Sequence, residues 1–218
     1  MRVILLGRPG SGKGTQARRL AEGRHVPVIS SGDLFRQAVG EGTPLGVRFK
    51  QFLDAGQLVP DSLVLAIIGE RLEQRDCRPG FLLDGFPRTL GQAKALEHWL
   101  SRAKTPLDAT LYLVVPENDL IERARGRRFC LRCGSSFHVA FRAPKIVDVC
   151  DSCGGDLIQR DDDRDEVVRA RAEEYGEKTA PLLSFYRERG LLREIDGMGT
   201  LEQVQGRIDR ALAAGRGG

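Results

Sequence analysis

The feature that most constrains this chain is its first fifteen residues, where an apolar run, a glycine-rich loop with one lysine and a helical pattern follow in immediate succession. The run at residues 3–6 reads as a strand buried on both faces, as parallel strands are. The loop extends from Gly7 to Gly14, and the helical pattern continues over residues 15–23. Glycines let backbone N–H groups curl around an anion, and the helix N-terminus adds partial positive charge. Lys13 is placed to reach the terminal phosphates of a nucleotide. Against the P-loop pattern, Gly7, Gly12 and Lys13 keep the spacing. Gly14 stands where Ser or Thr is usual, and the hydroxyl comes one residue later, at Thr15.

Further apolar runs at residues 26–29, 81–83 and 111–115 alternate with helical patterns, among them 91–102, which opens after Thr89; a last short strand is expected at 192–196, before a helix at 201–213. Strand–helix alternation of this kind predicts an α/β fold, a P-loop NTPase-type doubly wound parallel sheet. Two segments break the rhythm. Residues 30–59 carry two helical stretches with a break at 40–44, which suits a small helical flap. Residues 127–163 are cysteine-rich, contain Pro144 and lack a helical period, which predicts a small inserted subdomain. A helix should resume over 164–186, with Pro181 kinking or breaking it.

With 218 residues, 41% hydrophobic and 29% charged, the chain can bury one full core with inserted pieces. No apolar stretch approaches the length of a membrane span, and the N-terminal run is too short for a secretion signal. The expected setting is the cytoplasm, with no membrane partner. A net charge of +4, without a basic block, suits arginines lining an anionic-substrate site better than a nucleic-acid groove.

In a reducing compartment cysteines are thiols or metal ligands. Cys130, Cys133, Cys150 and Cys153 form two C-x-x-C pairs separated by sixteen residues, a strong zinc spacing. Each pair is followed by a glycine, Gly134 and Gly154, as expected for a turn whose N–H groups face sulfur. Four thiolates make a closed, structural zinc site rather than a catalytic one. An iron–sulfur cluster is the alternative use of four thiolates. A redox dithiol would need only one pair. The fifth cysteine, Cys77, reads as a partly buried thiol.

The second sharp motif is Phe81-Leu-Leu-Asp-Gly-Phe-Pro-Arg-Thr89. A strand ending in Asp84 puts a carboxylate at the carboxyl edge of a parallel sheet, where open α/β folds bind ligands. Asp84 stands where a Mg²⁺–water contact near the phosphate loop is expected. Arg88 follows a Gly-Phe-Pro turn.

Taken in order, the phosphate loop, Ser31-Gly-Asp-Leu-Phe-Arg36, Asp84-Gly-Phe-Pro-Arg-Thr89, Gly126-Arg-Arg128 and Arg160-Asp-Asp-Asp163 resemble the adenylate kinase family, in its long-lid, zinc-containing bacterial form. The resemblance covers essentially the whole chain. It implies a core at 1–29, 60–125 and 164–218, an NMP-binding flap at 30–59 and a zinc-bound lid at 126–163. It implies reversible phosphoryl transfer from MgATP to AMP, giving two ADP. Gly10, Ser11, Gly12, Lys13, Gly14 and Thr15 would then hold the ATP phosphates. Arg123 and His138 would sandwich the ATP adenine, with Ser136, Phe137 and Gly199 beside it. Ser31, Arg36, Gln57, Leu58, Val59, Gly85, Phe86, Pro87, Arg88 and Gln92 would bind AMP, and Gln92 can pair with adenine. Arg127, Arg160 and Arg171 would clamp phosphates on closure, Arg160 and Arg171 also on the AMP side. The catalytic set is then Lys13, Arg36, Asp84, Arg88, Arg127, Arg160 and Arg171. Two positions depart from the family: Ser31 replaces a common Thr and keeps the hydroxyl, and Gly199 replaces a common Lys whose contact to adenine is made through the backbone. Asp162 and Asp163 are expected to pair with arginines of the lid or hinge.

The chemistry agrees. A nucleoside monophosphate is already an anion near neutrality, with a second pKa of ~6, so no general base is required. The transfer needs charge neutralisation by lysine, arginines and Mg²⁺. Of the three histidines, His25 and His98 read as surface or packing residues. The alternatives are a GTP:AMP or other nucleoside monophosphate kinase of the same fold and, from a different class, a zinc-ribbon nucleic-acid-binding NTPase. The expected partners are ATP and AMP (ADP in reverse), with no nucleic acid and a monomeric state.

Overall fold

The computed structural model describes residues 1–54, 57–160 and 163–214. Its centre is a five-stranded sheet built from β1 (Arg2–Leu6), β2 (Val28–Ser30), β3 (Phe81–Asp84), β4 (Ala109–Val114) and β8 (Leu192–Asp196). The order is β2-β3-β1-β4-β8, and every pairing is parallel. Period-two geometry explains why β1 is apolar from Val3 to Leu6. Ile4 and Leu6 face one core with Ile29, Leu83, Phe49, Phe86 and Tyr186. Val3 and Leu5 face another with Leu82, Leu111, Ala17, Leu20 and Ile208.

Helices cover both faces. They are α1 (Lys13–Arg24), α2 (Ser31–Gly40), α3 (Pro44–Asp54), α4 (Asp61–Leu72), α5 (Leu90–Arg102), α6 (Glu117–Arg125), α7 (Asp165–Glu174), α8 (Pro181–Glu188) and α9 (Leu201–Ala214). Local chemistry sets several starts. Ser30 Oγ accepts from the Asp33 N–H at 3.3 Å to open α2, and Thr89 Oγ1 accepts from the Gln92 N–H at 3.1 Å to open α5. The chain leaves β1 with neighbours β3 and β4 on either side, so the carboxyl end of β1 is where a ligand crevice forms.

A second sheet of three antiparallel strands interrupts the helices: β5 (Arg127–Cys130), β6 (Ser136–His138) and β7 (Leu157–Ile158), ordered β6-β5-β7. Its own core is small: Cys130, Phe137, Cys150 and Leu157, with Cys153 against them.

Some expectations need correcting. The second strand starts at Val28 rather than residue 26, since Pro27 only lends its carbonyl to the Leu82 N–H, at 3.0 Å. The sequence periodicity did not single out α4 or α6. The helix expected over 164–186 is two helices, separated by a π-helical turn at Tyr175–Thr179, with Pro181 opening the second. The interruption therefore precedes the proline. Cys77 is fully rather than partly buried, and burial pushes its thiol up to about 11.

Candidate active site

The carboxyl end of β1 opens into a cavity of about 770 Å³ walled by the phosphate loop, α2, residues 57–59, the end of β3 and the small sheet. The loop enters α1 through Gly12, whose φ of 85° is left-handed. Gly10 is confined as well: a Cβ there would stand 2.4 Å from the Leu120 carbonyl oxygen. The departure at Gly14 also has a physical reason. A Cβ at that position would meet Asp84 Oδ2 at 3.1 Å, so glycine lets the loop and the carboxylate approach closely.

Positive groups crowd this cavity. Desolvation lowers Lys13 to about 8, with Arg88, Arg171 and Arg127 repelling its charge and Asp84 opposing them. Burial first, then Arg171, pulls Arg88 down to about 10. Such a concentration of like charge disfavours itself until an anion arrives. Arg88 is oriented from three sides. Its Nε donates to Gly85 O at 2.7 Å, its N–H donates to Gln92 Oε1 at 2.8 Å, and its carbonyl accepts from Thr179 Oγ1 at 3.0 Å.

Asp84 is the main counter-charge. Burial raises its pKa, partly offset by Lys13. Its Oδ1 is buried without a hydrogen-bond partner among the described residues. An orphaned carboxylate oxygen beside a phosphate loop fits a hard divalent cation such as Mg²⁺, which takes oxygen ligands.

The expected site residues fall as follows. The loop residues Gly10–Thr15, Ser31, Arg36, Gln57, Leu58, Val59, Asp84, Gly85, Arg88, Gln92, Arg123, Arg127, Ser136, Phe137, His138, Arg160, Arg171 and Gly199 all line the one cavity. Phe86 and Pro87 do not. Phe86 is 1% exposed within the main core, and Pro87 lines a small neighbouring pocket. Ser31 Oγ donates to Gly85 O at 2.7 Å. Gln92 is 2% exposed, and its amide already bonds the Arg88 N–H and, at 2.7 Å, Asp61 Oδ1. Arg36 lies 2.5 Å from Asp33 Oδ1. The Arg160 guanidinium covers the Phe129 ring, 3.5 Å from its centroid. Arg123 Nη1 donates to Gly197 O at 3.2 Å.

His138 Nδ1 accepts the N–H groups of Ala140 and Phe141, each at 3.1 Å, and its ring stacks on Phe141 with centroids 4.3 Å apart. Burial lowers its pKa, which favours the neutral imidazole that this pattern requires. Arg127 and Asp163 form a two-pronged ion pair across the base of the small sheet, with Nε to Oδ2 at 2.9 Å. Asp163 is 0% exposed, and the pairing is the one expected of it. Asp161 and Asp162 lie outside the described residues. The cavity also holds Arg18, Phe141 and Arg142, which no motif marked.

The four cysteine sulfurs lie within 4.8 Å of one another, with Cys130–Cys153 and Cys133–Cys150 at 3.5 Å. A tetrahedron of Zn–S bonds of about 2.3 Å has edges of about 3.8 Å. The set therefore suits a single zinc ion, and leaves no room at its centre for a multi-iron cluster. The two turns match each other: the Gly134 N–H donates to Cys130 O at 2.9 Å, and the Gly154 N–H donates to Cys150 O at 2.8 Å. Both glycines are left-handed, at φ 72° and 69°.

A family model described as adenylate kinase matches residues 5–191. The chain is 53% identical to an adenylate kinase of Syntrophotalea carbinolica over 99% of its length and 100% of the relative. It is 50% identical to one from Moorella thermoacetica, covering 97% of this chain and 98% of the relative. One from Archaeoglobus fulgidus is 47% identical, with the same 97% and 98% coverage.

Proposed function

The chain belongs to the adenylate kinase family, and from that premise we propose how its residues divide the transfer of the terminal phosphoryl group of ATP to AMP, giving two ADP. The observation that carries the reading is one cavity that joins the phosphate loop and Lys13 to the Arg88 turn. On the donor side, the loop from Gly10 to Thr15 binds the ATP phosphates, and Arg123 and His138 flank its base. On the acceptor side, Ser31, Arg36, residues 57–59, Gly85, Arg88 and Gln92 bind AMP. Arg127, Arg160 and Arg171 neutralise the phosphates between the two. Phe86 and Pro87 shape the turn that carries Arg88 and do not themselves contact AMP.

The residues act by binding and charge rather than by proton abstraction. The AMP phosphate is already a nucleophile near neutrality, its second pKa being ~6. His25 and His98 are exposed and do not line the cavity, so His138 is its single histidine. Lys13, Arg88 and Arg171 draw the two nucleotides' phosphates together, and their charge is worth most where water is excluded. Asp84 would hold Mg²⁺ beside the loop; when bound, the ion supplies charge neutralisation on the phosphoryl oxygens.

Residues 30–59 form the flap and 126–163 the zinc-stiffened lid, and both close over the core formed by 1–29, 60–125 and 164–218. Water exclusion is the reason for closure, since an open site would lose the phosphoryl group to hydrolysis. The working form is a cytoplasmic monomer. No helix among the described residues is long and apolar enough to cross a membrane.

The test is product analysis by ion exchange after incubation with MgATP and each of AMP, CMP, UMP and GMP, with GTP as a second donor. Two ADP per AMP, formed only with AMP and faster from ATP, is the expected result. Transfer to another monophosphate, or equal use of GTP, would overturn the base assignments, and phosphate release without acceptor would overturn the transfer reading. Within the site, Arg88→Ala should lower kcat/KM for AMP by about a hundredfold. Its melting temperature should hardly move, because Arg88 is a desolvated charge among like charges. An unchanged rate with AMP would remove Arg88 from the acceptor site.

A further inference from the structure

Arg18 sits on α1, the helix that starts at the phosphate loop. Its Nη1 donates to the carbonyl of Gly134, the residue that completes the first cysteine turn of the small sheet. Its Nη2 lies 3.9 Å from Asp33 Oδ2 on α2. One side chain of the central body thus touches both segments read above as moving parts. The contrast with its neighbour is informative. Arg19 pairs with Glu202 on α9 at 3.1 Å, within the central body, and gains nothing from closure.

We propose that Arg18 is a positioning residue that latches the closed state, by docking the cysteine turn at Gly134 onto the helix of the phosphate loop. The proposal rests on the reading of residues 126–163 as a lid. The acceptor is well suited to this role. The Gly134 N–H is tied to Cys130 O at 2.9 Å and the Cys130 N–H to Ser135 O at 2.9 Å, so the turn is rigid and offers its carbonyl at little entropic cost. A guanidinium donor makes a stronger bond to that carbonyl than a neutral group would. The Asp33 contact is longer and is shared with Arg36, which lies 2.5 Å from Oδ1, so it adds attraction without fixing geometry. A contact formed only in the closed state shifts the population toward that state by its own free energy and no more. The lid's metal site thereby gains a second role, since it presents the carbonyl on which closure catches.

The test combines steady-state kinetics with distance measurement between dyes attached, by chemistry that spares the cysteines, at the exposed positions His98 and Val147. In the wild-type protein an unreactive ATP analogue should shorten this distance. Arg18→Ala should reduce the closed fraction at saturating analogue and raise the KM for ATP about fivefold, while kcat does not fall. Arg18→Lys should recover part of the closed fraction. The side chain is 38% exposed and alanine favours helix, so the variant should fold. An Arg18→Ala closed fraction equal to wild type would overturn the latch while leaving the lid intact. A tenfold loss of kcat at unchanged closed fraction would instead place Arg18 on the phosphates. No distance change in the wild-type protein would overturn the lid reading and the latch with it.

Discussion

Lys13→Met should cost about a thousandfold in kcat/KM and should not lower the melting temperature at pH 7. Methionine keeps most of the stem and removes only the ammonium. That charge is lowered to about 8 in the folded protein, chiefly by desolvation, against an ordinary value of 10.5. Between those two values the unfolded chain holds more protons than the folded one, so this group's contribution to stability rises with pH across that window. Below about pH 8 its full cost is present. Removing the ammonium therefore relieves folding at neutral pH, and the loss falls on catalysis alone. Calorimetry beside the assay checks this: a fall of roughly ten degrees or more would make Lys13 a structural residue. The same titration predicts that the KM of the wild-type enzyme for ATP climbs above pH 8, as free enzyme loses the proton that meets the phosphates.

Removing the zinc, by chelation or by Cys130→Ser, should unfold the small sheet and leave the large one folded. The reason is the make-up of its core, where Cys130, Cys150 and Cys153 accompany only Phe137 and Leu157. Without the ion, two apolar side chains remain to offset the ordering of a long insertion. The two main cores share no residue with this cluster, so they should survive. Amide exchange between residues 127 and 158 should quicken by at least about a hundredfold, with the strands of the large sheet still protected. Elemental analysis should find one zinc per wild-type chain and none after Cys130→Ser. Unaltered exchange after metal loss would mean that the sheet stands without its ion.

The parallel sheet was legible because β1, β3 and β4 contain short apolar runs alternating with helical patterns, and because β1 needs apolar residues on both faces. The cysteine site was legible from spacing alone, since two C-x-x-C turns can fold onto one ion with little help. Helices α4 and α6 were missed for different reasons. The first is apolar around most of its surface and so lacks a clear stripe, and the second is short and heavily charged. The π-helical turn before Pro181 arises from packing, with Thr179 reaching the Arg88 carbonyl, and no local pattern announces it. Phe86 belongs to a motif whose neighbours line the cavity, but its large ring is drawn into the core. Arg18 and Arg19 are indistinguishable in sequence. Only the placement of the small sheet over α1 gives one of them a partner across the cavity.

The ion pair between Arg127 and Asp163 joins the two strands of chain by which the zinc-bearing insertion leaves and re-enters the body, and Asp163 is wholly enclosed there. The insertion is therefore a cartridge whose two ends are clamped to each other. Whatever lies beyond the pair can be shortened or stiffened while its two ends stay joined at the body. Thermal adaptation of such an enzyme has a place to act in the cartridge, apart from the sheet that carries the chemistry.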